Sequence, residues 1–345
     1  MTGPSVRELL ALYHRERGGS IGETVDGVAE LSRMFNGLAP HRPGYLAAAR
    51  LRRAYVHYYL PVNAEKVARV LSELETYAPP DRPLRVLDFG SGPGTAAVAF
   101  LLRRRPARLT LVDVVDEALD DARFLCRALG AEPEAFPEVP SGARYDLILA
   151  AHVYSEAQPR LEEHLSERGH LVVIEPALKD RTRRLMEWRD RMAAAGLRVA
   201  APCLERPRCP MLEREDLWCH MDVPWPRPAF VAEVDRRLGL DKESLKYAYA
   251  VVTPKGRTLA DLGGGRRLVS NLHREKGKAW GWFCGREGPL LRAECLSRHR
   301  GPGTADFFRA DRGDVLDFEA SGDPARTRGP VRRVRSSFTA RATLV

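Results

Sequence analysis

The chain has no apolar run near the roughly 18 residues of a membrane span, so no membrane partner is implied. Its start, "MTGPSVRELLALYHRERGG", lacks a basic segment followed by an apolar one, which argues against a secretory leader. Glu8, Glu16 and Glu23 come too early for an Arg-rich organellar presequence. The expected compartment is the cytoplasm, where thiols stay reduced. Internal repeats and sustained heptads are missing, and no obligate protein partner is implied. Cysteine is scarce, at six residues, and no pair is spaced C-x2-C or C-x4-C, as zinc knuckles usually are. In a reducing compartment such cysteines are more often ligands, core residues or reactive thiols than disulfides.

What is present is a globular composition. The 345 residues are 44% apolar and 29% charged, enough for about two domains at ~150 residues each. The net charge of +9 is unevenly placed. Residues 255–345 hold 19 Lys and Arg against 10 Asp and Glu, while the first 254 residues balance at 36 each. A localised basic excess points to a polyanion, most often nucleic acid, over a merely well-solvated surface.

The pattern divides the chain in three. Residues 1–80 read as helical, with Val6, Leu9, Leu10 and Tyr13 at helical spacing, a break at Pro61 and a restart capped by Asn63. Residues 81–254 alternate strands ("LRVLDFG", "RLTLVDVV", "YDLILAAHV", "GHLVVIEP", "LKYAYAVVTP") with helices, which predicts an α/β fold with a parallel sheet covered on both faces. A Cys-rich insertion occupies residues 201–220, between the last strands. Residues 255–345 read as a small basic β domain, with a barrel as one form open to it, in which "KAWGWFCGREGPLLRAECLSR" supplies two strands around a Gly-containing turn.

"VLDFGSGPGTA" sets Gly90, Gly92 and Gly94 between a strand and a helix, where glycine lets the backbone turn tightly and a ligand approach. Asp113 follows Gly94 by 19 residues, placed to accept from ribose hydroxyls. The spacing is G-x-G-x-G rather than G-x-G-x-x-G, and Asp88 adds a carboxylate that would repel a pyrophosphate and attract an amine. These residues favour S-adenosyl-L-methionine over a dinucleotide. After the fourth strand, the Asn/Asp-Pro-Pro-aromatic tetrad of many base N-methylating enzymes is absent. His152, Tyr154 and Glu156 stand there instead, as acid–base or stacking residues or as loop and capping residues. Cys126, with Ala118, Ala122 and Leu129 on one helix face, reads as core.

Cys203, Cys209 and Cys219 are spaced C-x5-C-x9-C, beside Pro202 and Pro210. Such irregular spacing suits a loop wrapped round an iron–sulfur cluster, which prefers four thiolates. Cys284, ending a strand beside a turn, is preferred as the fourth over Cys295, which reads as core-facing. His220 is the runner-up and would favour zinc. Three buried or free cysteines are the remaining reading.

Taken together, "VLDFGSGPGTA", "CLERPRCPMLEREDLWCH" and "DKESLKYAYAVV" resemble the methyltransferase-like family of mitochondrial and bacterial small-ribosomal-subunit assembly factors. The resemblance covers most of residues 45–285, including "YVHYYLP" and "VVIEPA". It implies a class I methyltransferase (Rossmann-like) fold, a [4Fe-4S] cluster on Cys203, Cys209, Cys219 and Cys284, and binding to small-subunit ribosomal RNA. Cys203 is followed by Leu, and the His that often follows the first Cys-Pro is missing. The other expectations are an active RNA methyltransferase whose cluster is structural, and a small-molecule methyltransferase with a zinc site.

Overall fold

The computed structural model describes residues 4–40, 42–154, 159–320 and 329–338. Ser5 caps α1 (Val6–Arg17) and Ser20 caps α2 (Ile21–Phe35). Each hydroxyl accepts from the N–H of a glutamate three residues on, and that carboxylate takes the serine's own N–H. These reciprocal bonds satisfy donors that the first turn leaves open. A third helical run joins α3 (Ala49–Ala54), a π-turn (Tyr55–Tyr59) and α4 (Leu60–Tyr77).

The break expected at Pro61 does not occur. Leu60 N reaches back five residues to Tyr55 O, and this wider turn absorbs the misfit of a proline in the first turn of α4. Asn63 is therefore inside α4 and caps nothing. Its amide donates to Tyr55 OH at 3.4 Å and its carbonyl accepts from Lys66 Nζ at 2.9 Å.

Strands and helices then alternate: β1 (Arg85–Phe89), α5 (Thr95–Leu101), β2 (Arg108–Val112), α6 (Asp116–Ala128), β3 (Glu134–Phe136), β4 (Tyr145–Ala151), β5 (Leu165–Pro176) and α7 (Lys179–Ala194). The five strands are parallel in the order β3-β2-β1-β4-β5. The order reverses at β1, which opens a crevice over the carboxyl ends of β1 and β4. Val86, Leu87, Leu147 and Ile148 are buried on central strands, as expected of a sheet covered on both faces.

The far edge of this sheet is split. β6 (Arg198–Ala201) and β7 (Met221–Pro224) lie end to end along β8 (Ser244–Thr253), which runs antiparallel to β5. The chain leaves the edge after Ala201, makes the cysteine loop, and rejoins the same edge at Met221. A helix that the sequence reading did not place, α8 (Ala229–Leu238), precedes β8. Among the described residues no helix is long and apolar enough to cross a membrane.

The last part is a closed barrel. β9 (Arg266–Leu268) pairs with β11 (Lys278–Gly285), β11 with β12 (Leu291–Leu296), β12 in parallel with β14 (Gly329–Phe338), β14 with β13 (Val315–Ala320), and β13 with β9. β10 (His273–Glu275) extends β11, and α9 (Ala305–Arg309) lies between β12 and β13. Numbered within the barrel the order is 1-2-3-5-4-1, the OB-type arrangement. Leu268, Phe283, Ala293, Cys295 and Phe307 fill its interior. The final stretch of the expected last strand, residues 339–345, lies outside the described residues.

Barrel and sheet meet at Arg267. Its guanidinium donates to both Glu73 oxygens at 2.9 and 2.8 Å and to Tyr249 OH at 2.9 Å, and Tyr249 OH donates to Glu73 at 2.7 Å. Arg267 is 3% and Glu73 7% exposed, so removing one partner strands a buried charge. Glu73→Gln is expected to lower the unfolding free energy by about 3–5 kcal/mol, and Glu73→Leu with Arg267→Met to recover most of it. Urea unfolding of both variants measures this. A loss below about 1 kcal/mol for Glu73→Gln would mean that the pair behaves as a solvated one.

Candidate cofactor crevice and thiol pocket

The glycine loop joins β1 to α5. Gly90, Gly92 and Gly94 have φ of 63°, 49° and 84°, a region that glycine alone enters freely. A Cβ on Gly90 would stand 2.5 Å from Val153 Cγ2, and one on Gly94 3.0 Å from Ala122 Cβ. Asp113, just past β2, accepts from Gly92 N at 2.7 Å and from Val115 N at 3.0 Å. The residue read as a ribose acceptor thus also shapes the loop. Burial raises its pKa, opposed by those backbone donors.

Asp88 lies beneath the loop, with Oδ2 accepting from Ala97 N in α5 at 2.8 Å. Burial lifts its pKa to about 7, opposed by the Ala97 bond and reinforced by Asp113. Leu46, Val115 and Ala118, with Tyr45 and Tyr55 against them, form an apolar group at this end. The N-terminal helices therefore border the crevice.

His152 follows β4 with φ 63° and donates its N–H to Ile174 O at 2.7 Å. Its Nε2 is buried with no hydrogen-bond partner among the described residues. Burial, then the charges of Lys66, Lys242 and Arg181, keeps the ring neutral, with a pKa well below the usual value. Tyr154 is a packing residue. Its N–H donates to Glu175 and its OH to Pro159 O, and its ring lies 5.0 Å from that of Trp188. Glu156 lies outside the described residues. No motif marks Lys66, Arg181 or Lys242, which the sequence reading missed.

The cysteine loop is anchored on α7. Arg183 donates to the carbonyls of Met211, Leu212, Arg214 and Leu217. Cys209 N donates to both oxygens of Asp190 at 3.1 Å, and the buried Arg189 donates to Arg206 O. Trp218 Nε1 reaches Ala177 O at 3.1 Å. So fastened, the loop turns Cys203, Cys209 and Cys219 into one cavity, with Cys284 of β11 on its wall beside Pro202, Met211, Arg267 and Val269. Cys295 is in the barrel core and Cys126 in the core of the first sheet. His220 does not line this cavity. Its Nε2 meets Arg312 at 2.7 Å and its ring stacks on Trp218.

Burial raises the pKa of Cys209, that of Cys219 to about 11 and that of Cys284 to about 12. Arg189 and Arg267 bring positive charge to the same thiols. Among the described residues no three His, Cys, Asp or Glu groups are gathered tightly enough to hold a metal ion.

The strand order, the antiparallel β8 and the glycine loop between β1 and α5 define a class I methyltransferase fold. The chain belongs to the family described as mitochondrial small ribosomal subunit Rsm22, whose sequence profile matches residues 50–316. It is 40% identical over 102 residues to a release factor glutamine methyltransferase of Enterococcus faecalis, covering 28% of this chain and only 35% of that relative. Among solved structures it is similar to a ribosomal protein L11 methylase of Lactobacillus delbrueckii (16% identity, 56% of this chain and 78% of that one, TM-score 0.35). It is also similar to the N-methyltransferase NodS of Bradyrhizobium japonicum in complex with S-adenosyl-L-homocysteine (15% identity, 58% and 88%, TM-score 0.36).

Because folding raises the Asp88 pKa, protonation of Asp88 favours the folded state. Its contribution is full below the ordinary value of 3.8 and is lost as pH rises through about 7. Asp88→Asn is expected to flatten this fall in stability. Urea midpoints of both proteins across that range check it, and an unchanged slope in the variant would assign the titration to another group.

Proposed function

We propose that the protein is an S-adenosylmethionine-binding factor that binds RNA of the small ribosomal subunit. On this reading it holds a [4Fe-4S] cluster on Cys203, Cys209, Cys219 and Cys284. The observation that carries the reading is the place of Cys284. Along β11, Ala279, Gly281, Phe283 and Gly285 are buried, while Lys278, Trp280, Trp282 and Cys284 take the other face. One strand face therefore runs from Trp280, past Trp282 packed on the methyltransferase core, to the thiol cavity. Trp280 and Cys284 are about 13 Å apart along the strand.

In an OB-type barrel the second and third strands form the face used for oligonucleotides. Here those strands are β11 and β12. His273 stacks on Trp280 at 4.0 Å, and the Arg292 guanidinium sits 4.1 Å from the centre of the same ring. Trp280 is thus sandwiched, and the outer faces of His273 and the Arg292 guanidinium are what this stack offers to unpaired bases, with neighbouring cations holding phosphates. Phe283 and Phe307 belong to the barrel interior instead.

The donor set suits an iron–sulfur group. It offers four thiols, with two guanidiniums to offset thiolate charge and no carboxylate lining the cavity. A multi-iron cluster also takes ligands set farther apart than a single ion does. Once bound, the cluster would cross-link the cysteine loop to the barrel. The crevice suits S-adenosylmethionine because Asp113 stands beside the glycine loop, where its carboxylate can accept from ribose hydroxyls. Family membership supports the small subunit as the partner.

Protein purified without air is expected to carry iron and sulfide in equal amounts. Serine at position 203, 209, 219 or 284 should remove both, while Cys126→Ala and Cys295→Ser should retain them. Zinc in place of iron would overturn the cluster. Metal-free protein is expected to bind small-subunit RNA at least tenfold more weakly, in a steeply salt-dependent manner, with S-adenosylmethionine affinity unchanged. Filter binding and calorimetry measure these, and equal RNA affinity of the two forms would refute a role of the cross-link in RNA binding.

A further inference from the structure

The stack on Trp280 leaves one polar pair of the barrel face without a task. β12 turns Arg292, Glu294 and Leu296 outward, because Ala293 and Cys295 between them are buried in the barrel. Glu294 stands directly opposite Trp280 of β11, and Lys278 directly opposite Leu296. Lys278 Nζ reaches Glu294 Oε2 at 3.0 Å, while Glu294 Oε1 accepts nothing among the described residues. The two side chains are 30% and 27% exposed, so a ligand can reach them. Glu275 of β10 is already engaged. Its Oε1 accepts from Trp280 Nε1 at 2.6 Å, and its Oε2 lies 3.5 Å from Lys278. Glu294 holds no part of the stack, and among the described residues its one polar partner is Lys278.

A carboxylate beside the stack repels phosphate, so on a face that holds RNA it weakens binding unless a base donates to it. Phosphates have another place to go. Lys276, Arg298 and Arg300 are exposed just beyond the ends of β10, β11 and β12. Ser297 N donates to Gly277 O at 2.8 Å, which ties the β10–β11 turn to the segment after β12. None of these three cations has a carboxylate partner among the described residues. Bases differ in what they offer a Lys–Glu pair. On its Watson–Crick edge every base can accept from the ammonium and donate one N–H to the carboxylate. Guanine alone presents two adjacent N–H donors, N1–H and N2–H, beside the acceptor O6, and one carboxylate accepts from both.

We infer that the barrel face selects guanine in single-stranded RNA. Glu294 accepts from its N1–H and N2–H, Lys278 donates to its O6, and the outer face of the Arg292 guanidinium stacks on its ring. This deepens the reading above and rests on it. Arg292 and Glu294 are about 7 Å apart on one strand face, so one base reaches both. The pairing accounts for a carboxylate on a surface otherwise suited to phosphates, and for the oxygen that Glu294 leaves open.

The test uses metal-loaded full-length protein and short labelled oligoadenylates with one central guanosine, inosine or adenosine. Inosine is guanosine without the N2 amino group. Anisotropy is expected to show the guanosine oligomer binding about tenfold more tightly than the other two, the worth of one extra hydrogen bond to a charged group. Glu294→Gln should remove that preference. It should bind the adenosine oligomer at least as well as the parent does, because a negative charge is lost, and this retained binding shows that the variant is folded. No preference for guanosine over inosine in the parent, or a preference that survives Glu294→Gln, overturns the site. If the parent then still binds all three oligomers and Trp280→Ala weakens them alike, only the guanine selection falls. If the parent binds none of them, the reading above falls with it.

Discussion

Arg267 is the residue on which the arrangement of the parts depends. It leaves the first barrel strand, enters a buried bidentate pair with Glu73 of α4, and is steadied by Tyr249 of β8. It also lines the cavity that Cys203, Cys209, Cys219 and Cys284 share. A charge this deeply buried tolerates few positions, because its hydrogen bonds must all be kept. The barrel is thereby held in one place against the sheet, and Cys284 is brought within reach of a loop whose last cysteine, Cys219, lies 65 residues earlier in the chain. Together with Trp282 packed on the methyltransferase core and Arg312 on His220, this pair sets Cys284 against the loop that carries the other three thiols.

The split edge strand explains why the cysteines occur in the midst of a sheet. β8 has one free side, and β6 and β7 divide it between them. The interruption lets a loop leave and return without opening the sheet, and α7 supplies the groups that fasten it. Four carbonyls of the loop converge on Arg183. The thiol side of the loop is consequently ordered by side chains from the methyltransferase core, and its fourth wall comes from the barrel.

Local signals were the legible part of the sequence. The spacing of Val6, Leu9, Leu10 and Tyr13 announced the first helix, and strand–helix alternation announced the parallel sheet. The glycine loop and Asp113 could be placed because the loop directly follows one apolar strand and Asp113 directly ends the next. Pro61 misled, because a π-turn accommodates it and nothing local predicts one. Barrel closure was only partly visible, since it depends on pairings between distant short strands such as β9 with β13. The basic excess after residue 255 overstated the charge free for RNA. Arg267 is consumed by Glu73, Arg312 meets His220, and Arg274 donates to Phe308 O.

The central claim is that a metal group joins the cysteine loop to the barrel and so fixes the face that carries Trp280. Hydrogen exchange on one preparation, before and after chelation of its iron, tests it most directly. The account predicts faster exchange at residues 202–220 and along β9 and β11, with the amides of the glycine loop and β1 unchanged. Exchange unaltered at 202–220 and in β11, or raised evenly across both sheets, would contradict it.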